Sequence, residues 1–111
     1  MDTCVFCEIT TGLSPAGILY EDSLVIAFHD IHPLAPVHML VVPRRHIPSL
    51  NQVGQEDEGL LGHMLLVAKQ LAKREAIDQS GYRMVINTGF DGGQTVPHLH
   101  LHILGGRRIT Y

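Results

Sequence analysis

Residues 92 to 106 read GGQTVPHLHLHILGG, and the three histidines that alternate with leucines there constrain the fold more than any other segment. Alternation at period two is the pattern of a half-buried strand, in which side chains i, i+2 and i+4 share a face. Leu99, Leu101 and Ile103 are therefore expected to face a core, with His98, His100 and His102 on the opposite side. Neighbouring imidazoles then sit about 6–7 Å apart, and the outer two about 13 Å apart, too far to share one metal ion. Such a row is a metal site, a catalytic site or chance.

The rest of the chain supplies neighbours for that strand. ILYED and SLVIAFHDI read as a hairpin turning at Glu21, Asp22 and Ser23, and VHMLVVP (37–43) as a strand rich in β-branched residues and closed by Pro43. The stretch 9–17 is turn-rich, and HPLAP (32–36), with two prolines, is a loop. Residues 55–77 predict the one long helix. Acids open it, Lys69, Lys73 and Arg74 close it, and Leu60, Leu61, Met64, Leu65, Ala68, Leu71 and Ala72 form an apolar stripe at helical spacing. His63, beside the stripe, reads as a surface or interface residue. YRMVINTG (82–89) reads as a further strand and FDGGQT (90–95) as a glycine-rich loop. The expected class is α+β: an antiparallel five-stranded sheet with one long helix packed on it.

A length of 111 residues suits a single domain over 1–111. A net charge of −3 argues against a nucleic-acid or membrane-surface binder, and the basic doublets Arg44-Arg45 and Arg107-Arg108 read as solvated. No apolar run approaches the roughly 18 residues of a membrane span, and the N-terminus lacks a signal pattern, so the expected location is cytoplasmic. Both cysteines lie in CVFC, as Cys4 and Cys7, which is no disulfide framework. A redox C-x-x-C normally opens a helix after a buried strand, and nothing strand-like precedes Cys4. A zinc site needs two more ligands, which eight histidines can supply.

Two chemistries suit the histidine row. An H-x-H pair on a strand can bind one ion with a third ligand from elsewhere. Alternatively, a neutral imidazole is a competent nucleophile at pH 7 when a partner holds its other nitrogen. The glycine-rich loop just upstream favours phosphate as the electrophile: its backbone N–H groups can approach an anion, and Gln94 and Thr95 add side-chain donors.

HLHLHILGG also resembles the H-x-H-x-H-x-x signature of the histidine triad family. FHDIHPLAPVHMLVVPRRHI and GYRMVINTGFDGGQTVPHLHLHILGGR resemble its Hint branch, the purine nucleoside phosphoramidases, and the likeness runs from about Cys4 to Arg107. The resemblance implies that His100 attacks the α-phosphorus of a nucleoside 5′-phosphoramidate or an aminoacyl- or lysyl-adenylate, forming a nucleotidyl-histidine that water resolves to AMP or GMP. It implies that His102 contacts phosphate and assists the leaving group, with His38 and His98 in support. Asn87, Gly93, Gln94 and Thr95 would hold phosphate and leaving group; Phe6, Ile9, Phe28, His29 and Ile31 would line the base pocket, and Asp30 would take the ribose hydroxyls. It further implies catalysis without a metal cofactor, and a homodimer whose two sheets join into ten strands.

Some bacterial-type relatives also carry a structural zinc, and the resemblance implies Cys4, Cys7, His46 and His98 as its ligands here. Three positions depart from the pattern: Thr95 stands where serine is usual, His32 where serine is frequent, and Pro97 where an aromatic is usual. A regulatory nucleotide-binding module and a metal-dependent hydrolase built on the H-x-H pair are the competing readings.

Overall fold

The computed structural model describes residues 4–12 and 16–110; positions 13–15 of the turn-rich stretch and residue 111 lie outside the described residues. Five strands, β1 (Ile18–Glu21), β2 (Val25–His29), β3 (Val37–Pro43), β4 (Tyr82–Val85) and β5 (Leu101–Gly105), form one sheet in the order β1-β2-β3-β5-β4. Every pairing is antiparallel. The expected α+β architecture is what the chain adopts.

Strand alternation divides the core in two. Val25, Ala27, Met39, Val41, Leu101 and Ile103 point to one face, where Met64, Val67, Ala68, Leu71 and Ala72 of helix α2 (Glu58–Arg74) cover them. Each such large side chain withdrawn from water contributes about 1.5–3 kcal/mol. Ile26, Phe28, Leu40 and Val42 point to the other face and pack with Phe6 of a short helix, α1 (Val5–Thr10). In register across that second face run Phe28, Leu40, His102 and Val85. The sheet thus carries a packed side and a side that α1 covers only in part.

Several elements differ from expectation, each for a local reason. The histidine strand begins only at Leu101. Pro97 has no N–H to give a ladder, the His98 amide turns back to the Val96 carbonyl, and the Leu99 amide donates to the Ile47 carbonyl instead. β4 ends at Val85 rather than 89, because the Asn87 side chain and the backbone of Gly89 are engaged in the following loop. Helix α2 is shorter than 55–77, being preceded by a 3-10 turn over Gln55–Asp57. Helix α1 had no sequence signal: Cys4 caps it, its sulfur accepting from the Cys7 amide.

The basic doublet Arg44-Arg45 is not simply solvated. Arg44 donates to the carbonyls of Asp22 and Thr10 and to the Glu21 carboxylate, tying α1 to the first hairpin. Arg45 pairs with the buried Asp57, whose carboxyl it holds low together with the Gly54 amide. His63 is also more than a surface residue, since its Nε2 lies 2.6 Å from Asp22. Burial alone would raise the Asp22 carboxyl, but hydrogen bonds from Tyr20, the Val25 and Leu24 amides and His63 outweigh it and hold the group well below the usual range.

Helix α2 stops in a Schellman arrangement. The Ile77 amide donates to the Ala72 carbonyl and the Ala76 amide to the Lys73 carbonyl, while Ala76 sits at φ 60. An alanine in this left-handed conformation is strained by about 1–2 kcal/mol. Ala76→Gly is therefore expected to stabilise the protein by roughly 0.5–1 kcal/mol after the entropy cost of glycine, raising Tm by a few degrees. Calorimetric melting checks this, and an unchanged or lower Tm would contradict it.

Candidate active site and metal-ligand cluster

The half-covered face of the sheet holds a cavity of about 570 Å³. Phe28, Leu40, His102 and Val85 form part of its floor, an arrangement fixed by the strand register. Phe6 and Ile9 of α1 wall it on one side, His29, Asp30, Ile31 and His32 edge another, and Asn87, Gly93 and Thr95 close the end near His100. Phe6 meets Phe28 edge to face at 5.7 Å, which shapes an apolar slot.

His100 lies against Phe6 at 5.0 Å and His102 at 4.9 Å, ring to ring. Its Nδ1 donates to the His98 carbonyl at 2.6 Å, so the lone pair of the neutral ring is on Nε2. Hydrogen bonds set the neighbouring tautomers as well. The Leu34 amide donates to His38 Nδ1 at 3.0 Å, which places the His38 proton on Nε2. That nitrogen is 2.9 Å from His102 Nδ1, so His102 accepts there and carries its own proton on Nε2. Asp30, 3.4 Å from His38 Nε2, favours the same His38 tautomer. The cavity thus meets one imidazole with a lone pair and one with an N–H.

Burial favours the neutral form of these rings. Burial pushes His100 down, against the pull of its bond to the His98 carbonyl. His102 is pushed to about 4, by burial first and then by its repulsion with His100 and His38. Burial also lowers His38, with Asp30 opposing. Neutral imidazoles are the state nucleophilic attack requires.

Not every expected residue reaches the cavity. His98 is fully buried beneath it and touches His100 only through its carbonyl. Gln94 is absent from the lining: its amide nitrogen donates to the Pro48 and Val96 carbonyls, and its oxygen accepts from the Gly89 amide. The glycine-rich segment is consequently a closed turn rather than an open cradle. The Gly93 amide goes to the Phe90 carbonyl and the Gln94 amide to the Gly89 carbonyl. Gly92 is required by packing, since a Cβ there would lie 2.3 Å from the Thr88 carbonyl oxygen. What the loop presents to the cavity is Asn87, Gly93 and Thr95. Leu34, whose amide orients His38, had no sequence signal, because the donor is backbone.

On the far side of His98, Cys4, Cys7, His46 and His98 converge. His98 Nε2 donates to the Pro43 carbonyl at 2.8 Å, leaving the Nδ1 lone pair to point at the cluster. From that Nδ1 the Cys4 sulfur is 3.2 Å away, the Cys7 sulfur 3.5 Å and His46 Nδ1 3.2 Å. Tetrahedral zinc with bonds of about 2.3 Å to sulfur and 2.0–2.1 Å to nitrogen has ligand–ligand edges of roughly 3.3–3.8 Å, so the donor set fits such an ion. Burial and the Cys4 sulfur push the Cys7 thiol up, an effect a bound cation reverses. The H-x-H arrangement is different. Among the described residues no group of three metal-binding side chains contains both His100 and His102; the second such group joins His102 with His38 and Asp30.

An uncharacterized HIT-like protein of Synechococcus elongatus is 50% identical over 107 residues, covering 96% of this chain and 93% of that one. The crystal structure of a HIT family hydrolase from Legionella pneumophila superposes with a TM-score of 0.96 at 46% identity, covering 98% and 97% of the two chains. A zinc-bound histidine triad family protein from Mycobacterium smegmatis superposes with a TM-score of 0.81 at 33% identity, covering 95% of this chain and 76% of its own. The HIT domain family model matches residues 11–109, and the chain belongs to that family.

Proposed function

We propose that the protein is a purine nucleoside phosphoramidase, hydrolysing P–N or adenylate bonds through a nucleotidyl-His100 intermediate and releasing AMP or GMP. The observation that carries the reading is the tautomer pattern: His100 tethered through Nδ1 to the His98 carbonyl, beside a His102 whose Nε2 bears the proton.

In this reading the purine enters the slot between Phe6, Ile9 and Phe28, with His29 and Ile31 at its edge, and Asp30 accepts the ribose hydroxyls. Thr95, Asn87 and the Gly93 backbone flank the phosphate. His100 Nε2 donates its lone pair to the α-phosphorus while the bond to the leaving nitrogen breaks. His102 Nε2–H passes its proton to that nitrogen and the amine departs, the negative charge left on His102 being balanced by the cationic nucleotidyl-imidazolium on His100 until water returns the proton. Water then attacks the nucleotidyl-imidazole, giving its proton to His102, and the P–N bond to His100 breaks to release the nucleotide. Gln94 serves the phosphate only indirectly, by bracing the loop.

Cys4, Cys7, His46 and His98 hold a structural zinc that fastens α1 to the sheet. A second copy of the chain covers the open edge of β4 and the exposed Leu65 and Leu66 of α2, giving the ten-stranded sheet of a homodimer. No helix among the described residues is long and apolar enough to cross a membrane.

The decisive experiment is rapid acid quench of the protein with an adenosine 5′-phosphoramidate, followed by intact-mass analysis. A transient gain equal to one adenylyl group, mapped to His100, is the expected result. Turnover with no adduct under single-turnover conditions, or AMP binding without turnover, would replace this reading with direct water attack or a binding module.

A further inference from the structure

The Gly106-Arg107 segment after β5 is not accounted for by the reaction above, yet it packs directly on the loop that carries His38's partner. Gly106, at φ 90, runs so close to this loop that a Cβ on it would sit 2.8 Å from the Cβ of Pro36. Arg107 then reaches over the loop, and its Nη2 donates to the Leu34 carbonyl at 2.8 Å, while Nη1 donates to the Arg108 carbonyl. Leu34 is 61% exposed, so packing does little to hold this residue in place. Its backbone bonds do: the carbonyl to Arg107, and the amide to His38 Nδ1.

We propose that Arg107 is a positioning residue for the His38–His102 pair: by gripping the Leu34 carbonyl it keeps the Leu34 amide on His38 Nδ1 and so keeps the His102 proton on Nε2. This inference rests on the phosphoramidase reading for its consequence, but its structural content is independent of substrate. A neutral imidazole has one N–H, and the partner of the other nitrogen decides where it sits. If the Leu34 amide swings away, His38 is free to carry its proton on Nδ1. Its Nε2 then faces His102 Nδ1 as an acceptor, and His102 must move its proton to Nδ1 to meet it. The cavity then meets a second lone pair where the leaving group needs a donor. Asp30 still favours the original tautomer from 3.4 Å, so loss of Arg107 weakens the bias without inverting it.

Two readouts test this together. Long-range nitrogen–proton NMR of the imidazoles reports which ring nitrogen of His38 and His102 is protonated, and steady-state kinetics with an adenosine phosphoramidate separates kcat from KM. In Arg107→Ala, His38 Nδ1 is expected to lose the signature of a hydrogen-bonded acceptor, and both rings to show mixed tautomers. The same variant should lose about tenfold in kcat, the equivalent of one hydrogen bond, with KM within about twofold. Arg107→Lys, which still offers a cationic donor to the carbonyl, should recover most of both. Should the alanine variant not fold, Arg107→Met keeps the aliphatic stem without the donors and supplies the same comparison. Imidazole spectra identical to wild type overturn the proposal, whether or not the rate falls. A protein that turns over no phosphoramidate yet shows the tautomer change refutes the phosphoramidase reading and leaves the positioning role standing.

Discussion

His100→Ala is expected to abolish turnover of a nucleoside phosphoramidate, with kcat falling by at least about 10⁴-fold while AMP still binds. The substitution removes the attacking electron pair rather than the affinity for nucleotide. The apolar slot of Phe6, Ile9 and Phe28 and the acceptor Asp30 remain in place, so the nucleotide keeps most of its contacts. What disappears is the lone pair on Nε2, and His102 cannot replace it, since its own Nε2 carries a proton for the leaving group. Stopped assays with a fluorogenic adenosine phosphoramidate give the rate, and titration with AMP gives the affinity. Retention of more than about one per cent of the wild-type kcat would exclude His100 as an obligatory nucleophile.

The same neutral site fixes the direction of pH effects. His102 is pushed from 6.5 to about 4 in the folded chain. Between those values the unfolded chain binds more protons than the folded one, so stability rises with pH across this window and is flat above it. Activity should follow with the same sign: insensitive near neutrality, and falling on the acid side as the triad takes up protons.

How much of this was legible beforehand depends on which interaction carries each feature. The sheet was readable because alternation is set by single residues: Val25, Ala27, Met39 and Val41 face one way and Ile26, Phe28, Leu40 and Val42 the other. The long helix was readable from its stripe, and the grouping of Cys4, Cys7, His46 and His98 from resemblance. The closed turn at residues 89–94 was not, because glycines license both an open cradle and a tight turn, and Gln94 decides between them through the Pro48 carbonyl, 46 residues away. Nor was the orientation of His38, which depends on the backbone amide of Leu34. Side-chain patterns announce themselves in a sequence; backbone donors and the basic residues that grip carbonyls, Arg44 and Arg107, do so only once the chain is folded.

Removing zinc is expected to lower Tm by roughly 15 °C, the effect of losing a ligand held about a thousandfold above its Kd, worth about 4 kcal/mol in a domain of this size. The four donors come from α1 and its cap, from the segment after β3 and from the turn before β5, so a zinc ion held there would close loops that span most of the sequence. Its loss should reach the cavity by two routes. Cys4 and Cys7 bracket Phe6, whose ring lies against Phe28, His98 and His100, so freeing α1 loosens the base slot. His98 supplies both a ligand nitrogen and the carbonyl that holds His100 Nδ1, so freeing its ring relaxes the nucleophile as well. AMP affinity should therefore fall alongside Tm, which separates this ion from a surface-bound one that would shift neither. Elemental analysis of the purified protein, melting with and without a chelator, and AMP calorimetry on the metal-free form measure the three quantities. Cys7→Ser should reproduce the metal-free behaviour even with zinc present. Equal melting temperatures for the wild type in zinc and in chelator would show that the cluster is held by its thiol and imidazole protons alone.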